Sequence, residues 1–88
     1  MNKKIYDLPC YDNRASFYGK AKVIEEGNKT FLQSYDTIVG YIENGIFYRT
    51  YVGYSATTMR HVNSFIIHFD LSGGGKKWWD SLEVKMGV

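Results

Sequence analysis

Two histidines and one cysteine are the side chains of this sequence that best suit metal binding or nucleophilic catalysis. His61 and His68 are seven residues apart, a separation of about 10 Å along a helix axis. Helical zinc motifs use ligands three or four residues apart, so this pair does not predict a shared ion. Nothing in the sequence places Cys10 beside an activating base, and we interpret it as a packing residue. We therefore expect no catalytic residue, no metal and no cofactor.

The segment from Ser72 to Lys77 has a superficial similarity to a phosphate-binding loop, because three glycines precede two lysines. A true phosphate loop follows a strand and has Ser or Thr directly after its lysine. Here a helix is predicted before the glycines, and Trp78 follows the lysines. We interpret the segment as a flexible connector whose lysines can contact phosphate weakly.

Hydroxyl and basic residues gather where the main helix is predicted to begin, around Ser55, Thr57, Thr58, Arg60 and His61. A helix N-terminus has free N–H groups and a partial positive charge, and it attracts anions. The simpler interpretation is a helix cap formed by Ser55 or Thr57, followed by a solvated first turn. Both interpretations stay open, and the segment is a candidate contact for an anion or a partner.

Six tyrosines lie in or beside predicted strands: Tyr18, Tyr35, Tyr41, Tyr48, Tyr51 and Tyr54. Tyrosine is common in strands and also at protein interfaces. A domain of 88 residues is too small to bury them all, so we expect an exposed aromatic surface. Stacking on single-stranded bases would use the same side chains, but without a basic groove a protein partner is preferred. The candidate partner-binding residues are Tyr41, Tyr48, Tyr51, Tyr54, Thr57, Arg60 and His61.

The basic side chains provide the alternative, a nucleic-acid-binding surface. The formal net charge is only +2, and acidic residues interrupt the basic ones. A dedicated nucleic-acid binder has a denser basic stripe, whereas a DNA mimic would be strongly acidic. The candidate phosphate contacts are Lys20, Lys22, Arg49, Arg60, Lys76 and Lys77.

Hydrophobic alternation and turn residues predict the strands that position these side chains. Alternation begins at Phe17, and turns are predicted at Gly27-Asn28 and at Asn44-Gly45, the latter of type I′. Strands over 30–35, 37–42 and 46–52 complete a meander over 17–52. The expected cross-strand pairs are Val23–Leu32, Ile24–Phe31, Ile42–Phe47, Tyr41–Tyr48 and Ile38–Tyr51.

Two helices are predicted after the strands. Met59, Val62, Phe65, Ile66 and Phe69 form one apolar stripe of a helix over 55–69. Its opposite side, with His61, Ser64 and His68, is expected to be solvated. A Gly-rich linker over 72–75 leads to a short helix over 76–84. The prediction is one α+β domain over 1–88: an irregular arm over 1–16, then an antiparallel meander of three to four strands packed by one amphipathic helix, plus the short C-terminal helix. Whether residues 1–16 add a strand to the sheet stays open.

Cysteine content and hydropathy bear on location. The single cysteine excludes an internal disulfide and fits a reducing cytoplasm. No apolar stretch follows Lys3-Lys4, so no signal peptide is expected, and no apolar run approaches the roughly 20 residues of a membrane span. A cytoplasmic location is expected.

The order of several short motifs resembles a known group of proteins. The motifs are Ser34-Tyr35-Asp36-Thr37-Ile38-Val39, Asn44-Gly45, and Ser55-Ala56-Thr57-Thr58 with His61 and Phe65. Over 17–66 the chain is similar to a family of short proteins carried by phages, plasmids and other mobile elements. The Lys- and Trp-rich end fits that pattern, whereas the linker over 69–75 departs from it. The resemblance transfers no catalytic residue.

The resemblance implies a context in which small proteins bind and block bacterial machines, as anti-CRISPR proteins do. The first hypothesis is therefore a non-enzymatic inhibitor that binds a bacterial host protein in the host cytoplasm, such as an RNA-guided defence nuclease. A homodimer through the tyrosine-rich sheet face remains open. The alternatives are a nucleic-acid-binding accessory protein and a protein that sequesters a nucleotide.

Overall fold

The chain folds into one antiparallel sheet with two helices packed against it. The computed structural model describes residues 3–9 and 20–85. The strands lie in the order β1-β2-β3-β4-β5, which is a meander. The predicted α+β class is confirmed, with five strands rather than three to four. The elements are β1 (Lys3–Asp7), β2 (Ala21–Glu26), β3 (Lys29–Ser34), β4 (Thr37–Glu43), β5 (Ile46–Arg49), α1 (Ala56–His68) and α2 (Lys76–Ser81).

Strand β1 is the main difference from the predicted arm over 1–16. Lys3–Asp7 pairs antiparallel with β2, and Ile5 lies opposite Ile24. The segment has one aliphatic residue between charged ones, so local alternation is too weak to indicate a strand. Its pairing depends on contacts distant in sequence. Residues 1–2 and 10–19, which include Cys10, Tyr18 and the predicted strand start at 17–19, lie outside the described residues.

Tight turns set the register of the hairpins. Asn44 (φ 55°) and Gly45 (φ 77°) both adopt positive φ, as the predicted type I′ turn requires. The pairs Val23–Leu32, Ile24–Phe31, Tyr41–Tyr48 and Ile42–Phe47 are confirmed. The expected Ile38–Tyr51 pair does not form, because β5 ends at Arg49 rather than at 52.

The sheet has an inner face, which packs on the helices, and an outer face on the opposite side. Val23, Leu32 and Phe47 lie on the inner face and are buried against α1 residues Val62 and Phe65. Phe47 also contacts Trp79 of α2, with ring centroids 6.3 Å apart. One compact core thus occupies only one side of the sheet.

Helix α1 begins where predicted, and Ser55 is its cap, since the Thr58 N–H donates to Ser55 Oγ at 3.1 Å. The predicted solvated side is wrong for two residues, because His61 and Ser64 are buried. Ser34, from the inner face, provides a polar partner for His61, which explains why a histidine is tolerated there. Helix α2 ends at Ser81 rather than at 84; instead, Val84 forms a parallel bridge with Arg49.

Arg49 connects the end of the sheet to both following segments. Its guanidinium donates to the carbonyls of Tyr51 (2.7 Å), Val52 (2.9 Å) and Trp79 (2.9 Å). The same group lies 4.4 Å from the Trp79 ring centroid, which is a cation–π distance. The Thr50 N–H still donates to the Val39 carbonyl at 3.0 Å. The Arg49 bonds then hold the chain at Tyr51 and Val52, beyond the last paired residue of β5.

We predict that Arg49→Met destabilises the protein strongly, although the methionine side chain has an apolar stem similar to that of arginine. The substitution removes the guanidinium donor of three carbonyls, of which only that of Trp79 keeps a described second donor, the Leu82 N–H at 3.2 Å, and we expect the free energy of unfolding to fall by at least about 2 kcal/mol. Urea denaturation followed by circular dichroism measures this. Lys77→Met, at an exposed position, is the control, with an expected change below about 0.5 kcal/mol. Equal stability of the two variants would contradict the role of Arg49.

Candidate functional site

A row of large side chains crosses the entire outer face, with one residue from each strand. Register pairs connect each member to the next across the strands. We call this row the outer ladder. It consists of Ile5, Ile24, Phe31, Tyr41 and Tyr48.

Aromatic stacking orders one end of the outer ladder. The Tyr41 and Tyr48 rings are stacked with centroids 5.1 Å apart, and Phe31 lies 5.7 Å from Tyr41. Lys29 Nζ lies 5.2 Å from the Tyr41 centroid. Tyr41 is consequently only 7% exposed, so the expectation that it offers free surface is wrong. Tyr41 supports its half-buried neighbours, whose outer edges form the accessible part.

The other end of the outer ladder is aliphatic and open. Ile5 is 55% exposed, and Ile24 is half-buried. Ile46 and Ile38, at the margins of the same face, are 55% and 36% exposed. Large apolar side chains on one sheet face, without a covering element among the described residues, are typical of an interaction surface.

Rows of charged residues flank the outer ladder on both sides, and opposite charges within each row balance one another. On one side Lys3, Glu26, Lys29 and Glu43 alternate in sign across four strands. On the other side Lys22 forms an ion pair with Asp7 at 2.7 Å. Opposite charges on neighbouring strands stabilise each other. The outer face therefore presents an apolar strip between two rows of balanced charge, and Lys85, whose Nζ lies 5.6 Å from the Tyr48 centroid, adds one cation at the β5 end.

The remaining predicted partner contacts lie away from the outer face, around the start of α1. Tyr54 is 46% exposed, and Lys76 Nζ lies 5.1 Å from its ring centroid. Tyr51 is half-buried against the core. Thr57 and Arg60, in the first turns of α1, are half-buried. The structure thus divides the predicted set, with Tyr41 and Tyr48 on the outer face and the others near α1.

His61 belongs to neither surface. Its Nδ1 lies 2.7 Å from the Ser34 hydroxyl, and the two residues are 1% and 4% exposed. A serine beside a histidine is the pair that activates a nucleophile in acyl-transfer enzymes. Here burial of both partners favours an internal link between β3 and α1, and the solvated His61 that the sequence predicted is corrected.

A small cavity of about 220 Å³ adjoins this link. Hydroxyl groups line much of it, from Ser34, Tyr35, Thr37, Tyr51, Ser55 and Thr58. The Ser55 hydroxyl donates to Thr58 Oγ1 at 2.9 Å. The Ser55 hydroxyl thus serves the helix cap, and this favours the cap over the anion site at the helix start.

The six basic residues considered for phosphate contact do not form one groove. Arg49 is buried and its guanidinium is saturated by carbonyls, so this candidate is corrected. Lys22 is paired with Asp7 on the outer face. Lys76 is bonded to Asp80 at 2.7 Å, and this contact raises the pKa of Lys76. The remaining three, Lys20, Arg60 and Lys77, precede β2 or lie on α1 and α2.

Sequence reasoning missed the aliphatic half of the outer ladder. The predicted Ile24–Phe31 pair contained part of the signal, because its partners face the same side as Tyr41. Ile5 could not be found, since strand β1 was not predicted. The ladder therefore becomes visible only when five strands are placed side by side.

Over residues 3–9 and 20–85, no group of three or more His, Cys, Asp or Glu side chains is placed to hold a metal ion. In the same part of the chain, neither helix has the length and apolar character needed to cross a bilayer.

We predict that Ser34→Ala destabilises the fold through His61. The substitution removes the hydroxyl that bonds to a buried imidazole, and we expect a loss of about 1–3 kcal/mol in unfolding free energy. Thermal and urea denaturation of Ser34→Ala and of the exposed control Ser72→Ala measure it. If both variants matched the unsubstituted protein, the Ser34–His61 link would not contribute to stability.

Comparison with known proteins identifies a family but no activity. A family model described as a family of unknown function (DUF8033) matches residues 6–81. No curated protein and no solved structure matches this chain. The matched region begins within β1 and ends with α2, so it includes the Arg49 contacts and all of the outer ladder except Ile5. The chain therefore belongs to the DUF8033 family of proteins of unknown function.

Proposed function

We propose that this chain is a non-enzymatic binding protein that docks a protein partner on its outer face. The observation that carries the proposal is the outer ladder, a continuous apolar and aromatic row across all five strands. The described core occupies the inner face, and the outer ladder stays largely open, although Lys85 Nζ lies 5.6 Å from the Tyr48 ring centroid. Tyrosine and other aromatic residues are enriched where proteins meet.

The charge pattern favours a protein over a nucleic acid. Lys22 and Lys29 lie on the outer face, but Asp7 pairs with the first, and Glu26 and Glu43 lie opposite the second. A phosphate backbone needs several uncompensated cations along one track. Alternating charge beside an apolar strip instead suits a protein surface with its own apolar strip and complementary charges.

The nucleotide alternative depends on the hydroxyl-lined cavity near Ser34. Its volume of about 220 Å³ is below the roughly 300–1,000 Å³ of most ligand pockets. The cavity also lacks a basic side chain among its lining residues. Both facts make a nucleotide a poorer fit than a protein partner on the outer face.

The biological context of the proposal comes from the sequence resemblance alone. Similarity to proteins of mobile elements suggests that the partner is a bacterial host protein and that binding inhibits it. A defence protein such as an RNA-guided nuclease, encountered in the host cytoplasm, is the partner class that this context favours.

We predict that Phe31→Thr/Tyr48→Thr abolishes partner capture while the sheet remains folded. Threonine keeps a high strand propensity but removes the aromatic surface. Immobilised protein is incubated with nuclease-treated bacterial lysate, and retained proteins are identified by mass spectrometry. We expect the unsubstituted chain to retain one protein in stoichiometric amount. The double variant should weaken the affinity for this protein at least about tenfold, which corresponds to about 1.4 kcal/mol of binding free energy.

The matched control is Tyr54→Thr/Ile67→Thr, which removes two exposed side chains from α1 and the segment before it. This control should retain the captured protein. Equal capture by the outer-face variant would contradict the proposal. Recovery of nucleic acid alone, lost on nuclease treatment, would also contradict it and would support the nucleic-acid alternative.

A further inference from the structure

Strand β1 forms one edge of the sheet, and its far side has no strand partner among residues 3–9 and 20–85. Four of its five residues are exposed, and Ile5, at the centre, is 55% exposed. At the opposite edge, by contrast, the C-terminal segment bridges β5, because Lys85 N–H donates to the Arg49 carbonyl at 2.7 Å. The two edges of the sheet are therefore not equivalent.

The alternating direction of the backbone N–H and C=O groups along β1 shows which of them face the edge away from β2. Leu8 N–H donates to the Ala21 carbonyl at 2.9 Å, so Leu8 directs its N–H toward β2. In an antiparallel pair this direction alternates along the strand. Lys4 and Tyr6 consequently direct their backbone groups toward β2. Lys3, Ile5 and Asp7 direct theirs to the free edge, and their side chains lie on the outer face.

We propose that a second copy of this chain adds to this edge, with the two β1 strands antiparallel about a two-fold axis at Ile5. Ile5 then pairs with Ile5 of the second copy, and Lys3 pairs with Asp7 of the second copy. Each of these residues directs an N–H and a carbonyl outward, and no other strand among residues 3–9 and 20–85 takes these donors and acceptors. The result is a two-fold-symmetric dimer with one continuous ten-stranded sheet.

Charge complementarity fixes this register. Both ends of the paired strands bring a lysine opposite an aspartate, which is a favourable cross-strand pair. Asp7 also bonds Lys22, but its side chain is 57% exposed and its carboxylate can accept from two cations. A shift of two residues would place Lys3 against Ile5 and lose both pairs. Charges on an edge strand usually prevent association; here their order makes the edge complementary to itself.

The dimer also extends the docking face. Five strands spaced about 4.8 Å apart and about 17–20 Å long offer roughly 400 Å² on one chain. A standard interface buries about 800 Å² on each partner. Pairing at β1 places the two outer ladders end to end through Ile5 and doubles the continuous surface. The dimer depends on the strand edge, however, and not on what the outer face binds.

The experiment measures mass by sedimentation equilibrium, using chains with any tag at the C-terminus so that β1 is unobstructed. We expect the unsubstituted protein to have twice the 10.2 kDa chain mass. K3D and D7K alone each bring like charges together at both ends, and we expect dissociation constants raised at least about tenfold. In an equimolar mixture the two substitutions face each other as opposite charges, so the dimer should return.

Two further variants separate edge pairing from other effects. Ile5→Pro removes an N–H that faces the free edge and no bond to β2, so we expect a folded monomer by circular dichroism. K77D makes the same charge change as K3D on α2 and should remain dimeric. A monomeric unsubstituted protein, dimeric K3D and D7K, or a mixture that stays monomeric would overturn the proposal. Because K3D keeps the outer ladder, its retention of a captured protein tests the proposed function separately.

Discussion

The guanidinium of Arg49 is the interaction on which the arrangement of this protein depends. A buried charge is costly unless hydrogen bonds replace its water, and here the carbonyls of Tyr51, Val52 and Trp79 do so. These carbonyls belong to the connection after β5 and to α2. Through these bonds Arg49 fixes the segment that follows β5 and links it to Trp79, which is fully buried in the core. The inner face is closed as a consequence.

Because the helices pack on the inner face of the sheet, the outer face is the one that can contact a partner. Core residues such as Val23, Leu32 and Phe47 all point to the helices, and the alternation of the strands sends an equal number of side chains outward. In a one-sided sheet those outward positions are usually polar. Here the central row is apolar or aromatic, while the charges are moved to the margins and balanced there. Folding alone does not require that row, which is why binding is the proposed function.

Local signals predicted much of the fold. Asn44-Gly45 indicated its hairpin and its register, and Ser55 indicated the start of α1, because turns and caps depend on neighbouring residues. Strand β1 was missed, since Lys3–Asp7 becomes a strand only by pairing with β2. Tyrosine content predicts an aromatic surface, and Tyr48 lies half-buried on the outer face, but the burial of Tyr41 and His61 depends on tertiary neighbours. The sequence alone places Arg49 among the phosphate contacts. Its carbonyl partners cannot be recognised there, because Tyr51 and Val52 lie in an irregular segment and Trp79 is far away along the chain.

The docking surface is tested most directly by measuring how accessible the outer face is to solvent in the isolated chain. A soluble nitroxide, added to methyl-labelled protein in an NMR experiment, broadens signals in proportion to their exposure. We predict strong broadening for the methyl groups of Ile24, Ile38 and Ile46, and little for those of Val23, Leu32 and Val62, which are fully buried. Equal protection of both groups would show that the outer face is covered and would contradict a docking surface there.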